Sequence, residues 1–322
     1  MKFQTYPIQF HPIFKDRIWG GTKLKTILNK QLDSEITGES WEISTVKNDV
    51  SIVSNGIYKG KSLDEIIKNF PNEILGIEVH KKFGFEFPLL FKYLDAKKDL
   101  SIQVHPNDEL AKKNHNSFGK TEMWYIMQAD ENARIIVGFK EKSSKKDYLQ
   151  HLENKTLLDI LDSKKVVKGD VFFLETGTIH AIGAGMVVAE IQQTSDITYR
   201  IYDFDRKDAN GNERELHTNL ALEAINFNKV NSQKKYSKVV NQSNETVNCK
   251  YFTTNIIPLD GKIVINKLFL TFTVYMCVNG SFEIDFNNQK YQYKKGDTIL
   301  IPAEMNKFKL SGNASILEIY IL

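Results

Sequence analysis

The chain has 322 residues, enough for one large or two medium domains, and its 41% hydrophobic and 26% charged composition is ordinary for a globular protein with a sizeable core. Its 43 basic and 40 acidic residues leave a net charge of +3, with the lysines scattered, which gives no footprint for nucleic acid. No run approaches the roughly 18 apolar residues of a membrane span, Met1 to Pro7 carries no apolar leader segment, and two cysteines are too few for a disulfide framework, so a cytoplasmic protein with Cys249 and Cys277 as small core residues is expected.

Up to about Lys98 the chain mixes short strands, at Glu39 to Ser44 and Val50 to Val53, with amphipathic helical stretches. Leu63 to Phe70 is one of these, with Ser62 as its N-cap. Phe87 to Leu94 reads as a buried strand. Lys92, alternating there with apolar neighbours, either lines a cavity or snorkels out of the sheet. The stretch Leu100-Ser-Ile-Gln-Val-His-Pro-Asn-Asp108 is the most informative of the chain. On a strand, residues two apart share a face, so Gln103 and His105 can bind one metal ion, and Ser101 shares the face of Gln103. Glu122, in Gly119-Lys-Thr-Glu-Met-Trp-Tyr125, and His180, in Glu175-Thr-Gly-Thr-Ile-His-Ala181, also lie beside strand-like runs. If these three segments line a common barrel, their four N and O donors form one coordination shell, with Lys120 and Lys92 placed to line the same cavity.

Two helical interruptions are expected in this zone, from Lys145 through Glu153 to Leu161, and around Asn219 to Ile225. Lys229 to Asn248 is polar, lacks apolar periodicity and reads as a linker or exposed excursion. Residues 250–322 are almost wholly strand and turn, with Val278-Asn-Gly-Ser-Phe282 a predicted hairpin. An internal echo joins the two halves. Lys168-Gly-Asp-Val-Phe-Phe-Leu174 resembles Lys295-Gly-Asp-Thr-Ile-Leu-Ile301, and Glu122 to Ile126 can be laid on Phe272 to Met276. The alignment replaces Glu122 by Phe272 and His180 by Lys307, so the second copy keeps the scaffold and loses the metal. The predicted fold is mainly β: two cupin-type jelly-roll barrels with a few short helices. Residues 1–230 would be the catalytic domain, 231–248 the linker, and 249–322 a barrel without metal ligands.

Ser101-Ile-Gln-Val-His-Pro-Asn107, Gly119-Lys-Thr-Glu122, Gly177-Thr-Ile-His-Ala181, Tyr199-Arg-Ile-Tyr-Asp-Phe-Asp-Arg206 and Arg214-Glu-Leu-His217 together resemble the type I mannose-6-phosphate isomerases, in their short bacterial form. The resemblance runs from about Phe10, through Trp19-Gly-Gly21 and Gly38-Glu-Ser-Trp41, to about Phe227. It implies one zinc ion per chain on Gln103, His105, Glu122 and His180, a catalytic Arg200, and phosphate contacts from Ser101 and Arg206. It departs from the longer members at Thr121, where they carry proline, and in lacking their inserted helical domain. The implied reaction exchanges a proton between C1 and C2 of a hexose phosphate through a cis-enediol, the metal acting as Lewis acid. Lys120 or a zinc-bound water is a candidate for the proton-transfer role, with the general base otherwise unassigned, and Lys92 is a candidate for substrate contact. All the metal donors are N or O, which favours an open site but would also accept Fe or Mn. The alternative is a sugar-phosphate-binding cupin without turnover, and a third reading is an iron cupin dioxygenase. The sequence assigns no oligomeric state, and a monomer is compatible with it.

Overall fold

The computed structural model describes residues 2–207, 210–267 and 270–322. Among these the chain is mainly β, every paired strand is antiparallel, and the longest helix, Lys145–Glu153, has nine residues. Among the described residues no helix is long and apolar enough to cross a membrane.

Two sheets face each other in the first part of the chain. One has seven strands, in the order Gln233–Lys234, Val171–Leu174, Glu122–Ala129, Met186–Gln193, Leu89–Ala96, Thr37–Ile43 and Ile13–Gly21. The other has five, in the order Leu161–Lys165, Arg134–Phe139, His180–Ile182, Ile102–Val104 and Tyr199–Tyr202. Period-two alternation divides the work of each central strand. In Glu122–Ala129, Met123, Tyr125 and Met127 point to one core, whereas Trp124 and Ile126 point into the space between the two sheets.

Residues 244–320 form a single sheet in the order Asn244–Asn248, Thr253–Asn266, Lys307–Tyr320, Thr273–Phe286 and Gln289–Lys294, with Thr298–Ile301 also paired to Thr273–Phe286. Ile257, Tyr275, Phe282, Ile299, Phe308 and Ile316 fill its concave side. Its other face, through Val274, Met276, Leu317 and Ile319, shares the largest core of the molecule with the back of the seven-stranded sheet. The two parts are also stitched together at Ile8, whose N–H and C=O exchange hydrogen bonds of 2.8 and 2.9 Å with Leu300. The observed pairing closes no sheet into a barrel; the expected barrels are here open sheets.

Several local expectations shift. The single helix foreseen from Lys145 to Leu161 is two, Lys145–Glu153 and Leu157–Ile160, divided where Lys155 takes a left-handed φ of 57°. Val278 to Phe282 is not a hairpin turn. It lies within the fourteen-residue strand Thr273–Phe286, which bulges between Cys277 and Asn279. Gly280 (φ 73°) supplies the backbone freedom the bulge needs, and a Cβ there would stand 2.1 Å from the Asn313 carbonyl oxygen. The tight turn falls at Asn287-Asn288, both with positive φ, the geometry of a two-residue primed turn.

The polar run 231–248 contains strands at both ends, Gln233–Lys234 on the seven-stranded sheet and Asn244–Asn248 on the C-terminal one. Asn244 organises its middle: its amide donates to the carbonyls of Val239, Gln242 and Ile256, and its oxygen accepts from the Val239 N–H. Of the two cysteines, both free, Cys277 is buried and Cys249 half-buried.

Candidate metal centre

The local chain explains how the ligand set is held. After the strand Ile102–Val104, Asn107 caps the helix Asp108–His115 by accepting the Leu110 N–H at 2.9 Å. The chain then returns through Gly119, whose Cβ would lie 2.7 Å from the Asp108 nitrogen, so only glycine permits this approach. Asp108 accepts from the Gly119 N–H (3.0 Å), the Gln193 side chain (3.0 Å) and the Tyr251 hydroxyl (2.6 Å). Thr121 N–H donates to Gln193 Oε1 at 2.9 Å. Lys120 and Glu122 thus enter the strand Glu122–Ala129 from a fixed position.

On the five-stranded sheet, His180 pairs with Gln103 and Gln103 with Arg200, which forms one cross-strand row. Glu122 approaches from the facing sheet. Its Oε1 lies 3.3 Å from His180 Nε2 and its Oε2 3.5 Å from His105 Nε2. The two Nε2 atoms are 3.2 Å apart, and the Gln103 amide nitrogen is 3.2 Å from His180 Nε2. A half-turn of the Gln103 amide about its terminal torsion directs its oxygen to the centre. His105 Nδ1 lies 3.0 Å from the Ile197 carbonyl and His180 Nδ1 2.8 Å from that of Thr178. Those carbonyls call for a proton on each Nδ1, which leaves both Nε2 lone pairs directed at the centre.

The donor set fits a cation. Two lone pairs converge on each other, which no hydrogen bond between them relieves. Both Glu122 oxygens are buried without a hydrogen-bond partner. Burial, Lys120 and His180 push the His105 pKa well below its ordinary value, and burial brings that of His180 to about 4, so both rings are neutral and available. Burial and the nearby Glu190 push Glu122 up to about 8, against the opposing pull of Lys120 and Lys92.

A cavity of about 590 Å³ opens beside this cluster. Ser101, Gln103, Lys120, Lys92, Arg200 and Arg214 line it. Lys120 Nζ is 3.2 Å from His105 Nε2 and 3.5 Å from Glu122 Oε2. Arg200 donates to the Glu215 carbonyl at 2.8 Å, its backbone N–H is held by His217 Nδ1 at 3.1 Å, and its buried Nε has no partner. Burial and the neighbouring Arg214 lower its pKa from the ordinary arginine value. Arg200 makes no ion pair with Asp203. That carboxylate is instead shared by Arg214 and Arg206. Arg206 also donates to the Asp99 carbonyl and is not among the cavity-lining residues.

Lys92 is buried rather than snorkelling. Its Nζ lies 3.1 Å from Glu190, 3.8 Å from Glu39 and 5.1 Å from the centre of the Trp41 ring. Burial works against its charge, and Glu190, Glu39 and Glu122 outweigh it and raise the pKa. Trp41 donates to Glu39 at 2.6 Å, and Trp124 donates to Glu190 at 2.9 Å. Trp19 and Trp41 are both buried and both line the cavity.

Glu39, Glu190, Arg17 and Arg214 border the cavity without having been singled out from the sequence. A signal existed for Glu190, the one carboxylate in the apolar run Met186-Val-Val-Ala-Glu-Ile191. Glu39 and Arg214 stood inside motifs already noted, Gly38-Glu-Ser-Trp41 and Arg214-Glu-Leu-His217.

A family model described as phosphomannose isomerase type I, catalytic domain, matches residues 8–140, and one described as mannose-6-phosphate isomerase, cupin domain, matches residues 242–321. The chain is 38% identical to mannose-6-phosphate isomerase ManA of Bacillus subtilis over 316 residues, covering 96% of this chain and 97% of that protein. It is 36% identical to a mannose-6-phosphate isomerase of Streptococcus mutans over 306 residues, covering 94% of each. The crystal structure of a mannose 6-phosphate isomerase from Bacillus subtilis superposes with a TM-score of 0.91 at 36% identity, covering 99% of this chain and all of that one.

Proposed function

The chain belongs to the type I phosphomannose isomerase family, and from that premise we propose that it interconverts mannose 6-phosphate and fructose 6-phosphate on one zinc ion held by Gln103, His105, Glu122 and His180. The observation that carries this reading is the Glu122 carboxylate, buried without a hydrogen-bond partner against two imidazole nitrogens whose other ring atoms are tied to backbone carbonyls. An all-N/O set with one carboxylate suits zinc with an open position. The metal, when bound, supplies Lewis acidity at the sugar carbonyl oxygen, worth several kcal/mol of transition-state stabilisation.

The other tasks fall to side chains of the cavity. Arg200, in the same cross-strand row as Gln103, offers a planar fork to the enediolate oxygens, and its unpartnered Nε is one of the donors. Lys120, beside His105 and Glu122, is the proton-moving candidate nearest the ligands. Ser101 and Arg214 are placed for the phosphate. Arg206 contributes through Asp203, which it shares with Arg214, by fixing the second guanidinium. Lys92 adds a permanent cation to the wall. We also read the two parts as cupin-type jelly rolls, the first from two facing sheets that do not close and the second from one sheet with a core on its inner side, with residues 1–230 as the catalytic unit, 231–248 as the connection and 249–322 as the second unit.

The test is a coupled assay for fructose 6-phosphate formed from mannose 6-phosphate, with protein stripped by chelator and then restored with Zn²⁺. Activity should vanish and return with the metal. Folded, zinc-loaded protein without turnover would overturn the enzyme reading and leave a metal-dependent sugar-phosphate-binding protein.

A further inference from the structure

The two units share more than the Gly-Asp echo. Val171 to Leu174 pairs with Tyr125 to Glu122, and Thr298 to Ile301 pairs with Met276 to Thr273, so strand pairing equates Glu122 with Thr273 and Trp124 with Tyr275. This is one residue away from the Phe272 match suggested by sequence alone. The next strands follow the same register. Trp124 faces Glu190, which faces Lys92; Tyr275 faces Glu318, which faces Asn255.

The hydrogen bonds repeat as well. Trp124 donates to Glu190 Oε1 at 2.9 Å and Tyr275 to Glu318 Oε1 at 3.2 Å. Lys92 reaches Glu190 Oε2 at 3.1 Å and Asn255 reaches Glu318 Oε2 at 3.0 Å. Glu318 and Asn255 of the second row line a cavity of about 320 Å³ at the place of the catalytic one. Asn255, Glu318, Lys267, Ser243, Thr271 and Thr273 supply its polar lining, and Ile257, Ile263 and Ile265 its apolar wall.

We propose that this second cavity binds a neutral, polyhydroxylated ligand of monosaccharide size, held by Glu318, Asn255 and Lys267. Its volume lies at the small end of ligand pockets, whose usual range begins at about 300 Å³. Its chemistry is that of hydroxyl recognition: carboxylate and amide acceptors, amine, amide and hydroxyl donors, and an aliphatic face for the C–H side of a ring. Its charge separates it from the catalytic cavity. There, six lysine and arginine side chains line the wall against five carboxylates, with Lys120, Arg200 and Arg214 among the six. Here, Lys267 is the one cation among the described lining residues, and Glu318 offsets it. A phosphate would meet a fixed carboxylate with no surplus of cations. Lys267 is bonded to the Pro302 carbonyl at 2.9 Å, and burial pushes its pKa down to about 7.

The experiment is calorimetric titration of the full chain with D-mannose and with D-fructose, both unphosphorylated. Wild-type protein should bind at least one with a Kd of about 1 mM or tighter. Glu318→Gln and Lys267→Met, each first shown to be folded by circular dichroism, should weaken that binding by about tenfold or more. His105→Ala should leave it unchanged. Lys267→Met guards against a fold defect in the first variant, because the lysine nitrogen has a single protein hydrogen bond. No binding of either hexose to wild-type protein would overturn the proposal. So would binding that survives both C-terminal substitutions and is lost in His105→Ala, since the hexose would then occupy the catalytic cavity.

Discussion

The row Trp124, Glu190, Lys92 and the row Tyr275, Glu318, Asn255 hold equivalent places in two sheets of one chain. In both, a buried carboxylate is clamped between an aromatic donor on one neighbouring strand and a nitrogen on the other. A charge in such a place is tolerated only with partners on each side. What differs is what the row faces. In the catalytic unit Glu190 holds a cation, Glu39 flanks it on the far side, and the facing sheet contributes His180 and Gln103. In the C-terminal unit the neutral amide of Asn255 stands where Lys92 does, and the position of Glu122 is taken by Thr273. The row belongs to the scaffold, while the metal chemistry depends on a few positions around it.

If that division is right, the largest effect should come from the ligand shell. His105→Ala, or removal of metal by chelator, should lower kcat/KM by about 10³-fold or more, because a metal-ion contribution of several kcal/mol is lost. Lys307→Ala, at the exposed position matched by sequence count to His180, should leave kcat/KM within twofold of wild type. A comparable loss from both substitutions would show that the second unit takes part in the chemistry and would erase the distinction.

The next effect concerns Arg200, which the register places beside Gln103. Arg200→Ala should cost about 10²- to 10³-fold, mainly in kcat, as for other donors directed at a developing oxyanion. Arg200→Lys should recover only part of it, since an ammonium keeps the charge and loses the fork. A change confined to KM would place Arg200 in ground-state binding instead.

The residues that the structure brings together at the candidate metal centre were legible in the sequence because each sits in a short motif beside an apolar strand, as with Gln103 and His105 two residues apart. Strand order was less legible. Asn279-Gly280 serves equally as a hairpin turn or as a bulge, and only the long pairing with Lys307–Tyr320 selects the bulge. The same limit put Phe272 opposite Glu122, because a one-residue slip leaves a similar apolar pattern while exchanging the two faces. Glu39 and Glu190 escaped because their role is relational. Each is defined by Lys92, which lies more than fifty residues from the first and nearly a hundred from the second.

The smallest effect expected is on stability, and it tests whether the charged row makes the catalytic unit the acid-sensitive one. Burial pushes the Glu39 carboxyl up, but Lys92, Arg17 and the Trp41 hydrogen bond outweigh it and hold the pKa at about 2, against 4.5 for the free group. Between those values the unfolded chain binds more protons than the folded one, so stability rises with pH. The contribution is fully present above about pH 4.5 and is lost as pH falls towards 2, with a size of at most about 3 kcal/mol. Glu39→Gln removes the titration and leaves Lys92 with Glu190 as its nearer carboxylate. Urea denaturation should therefore find the variant less stable than wild type at pH 7, with the gap closing between pH 4.5 and 2.5. A gap that stays constant over that range would mean the Glu39 side chain stabilises the fold by packing alone. The contrast between the two rows would then be one of shape and not of charge.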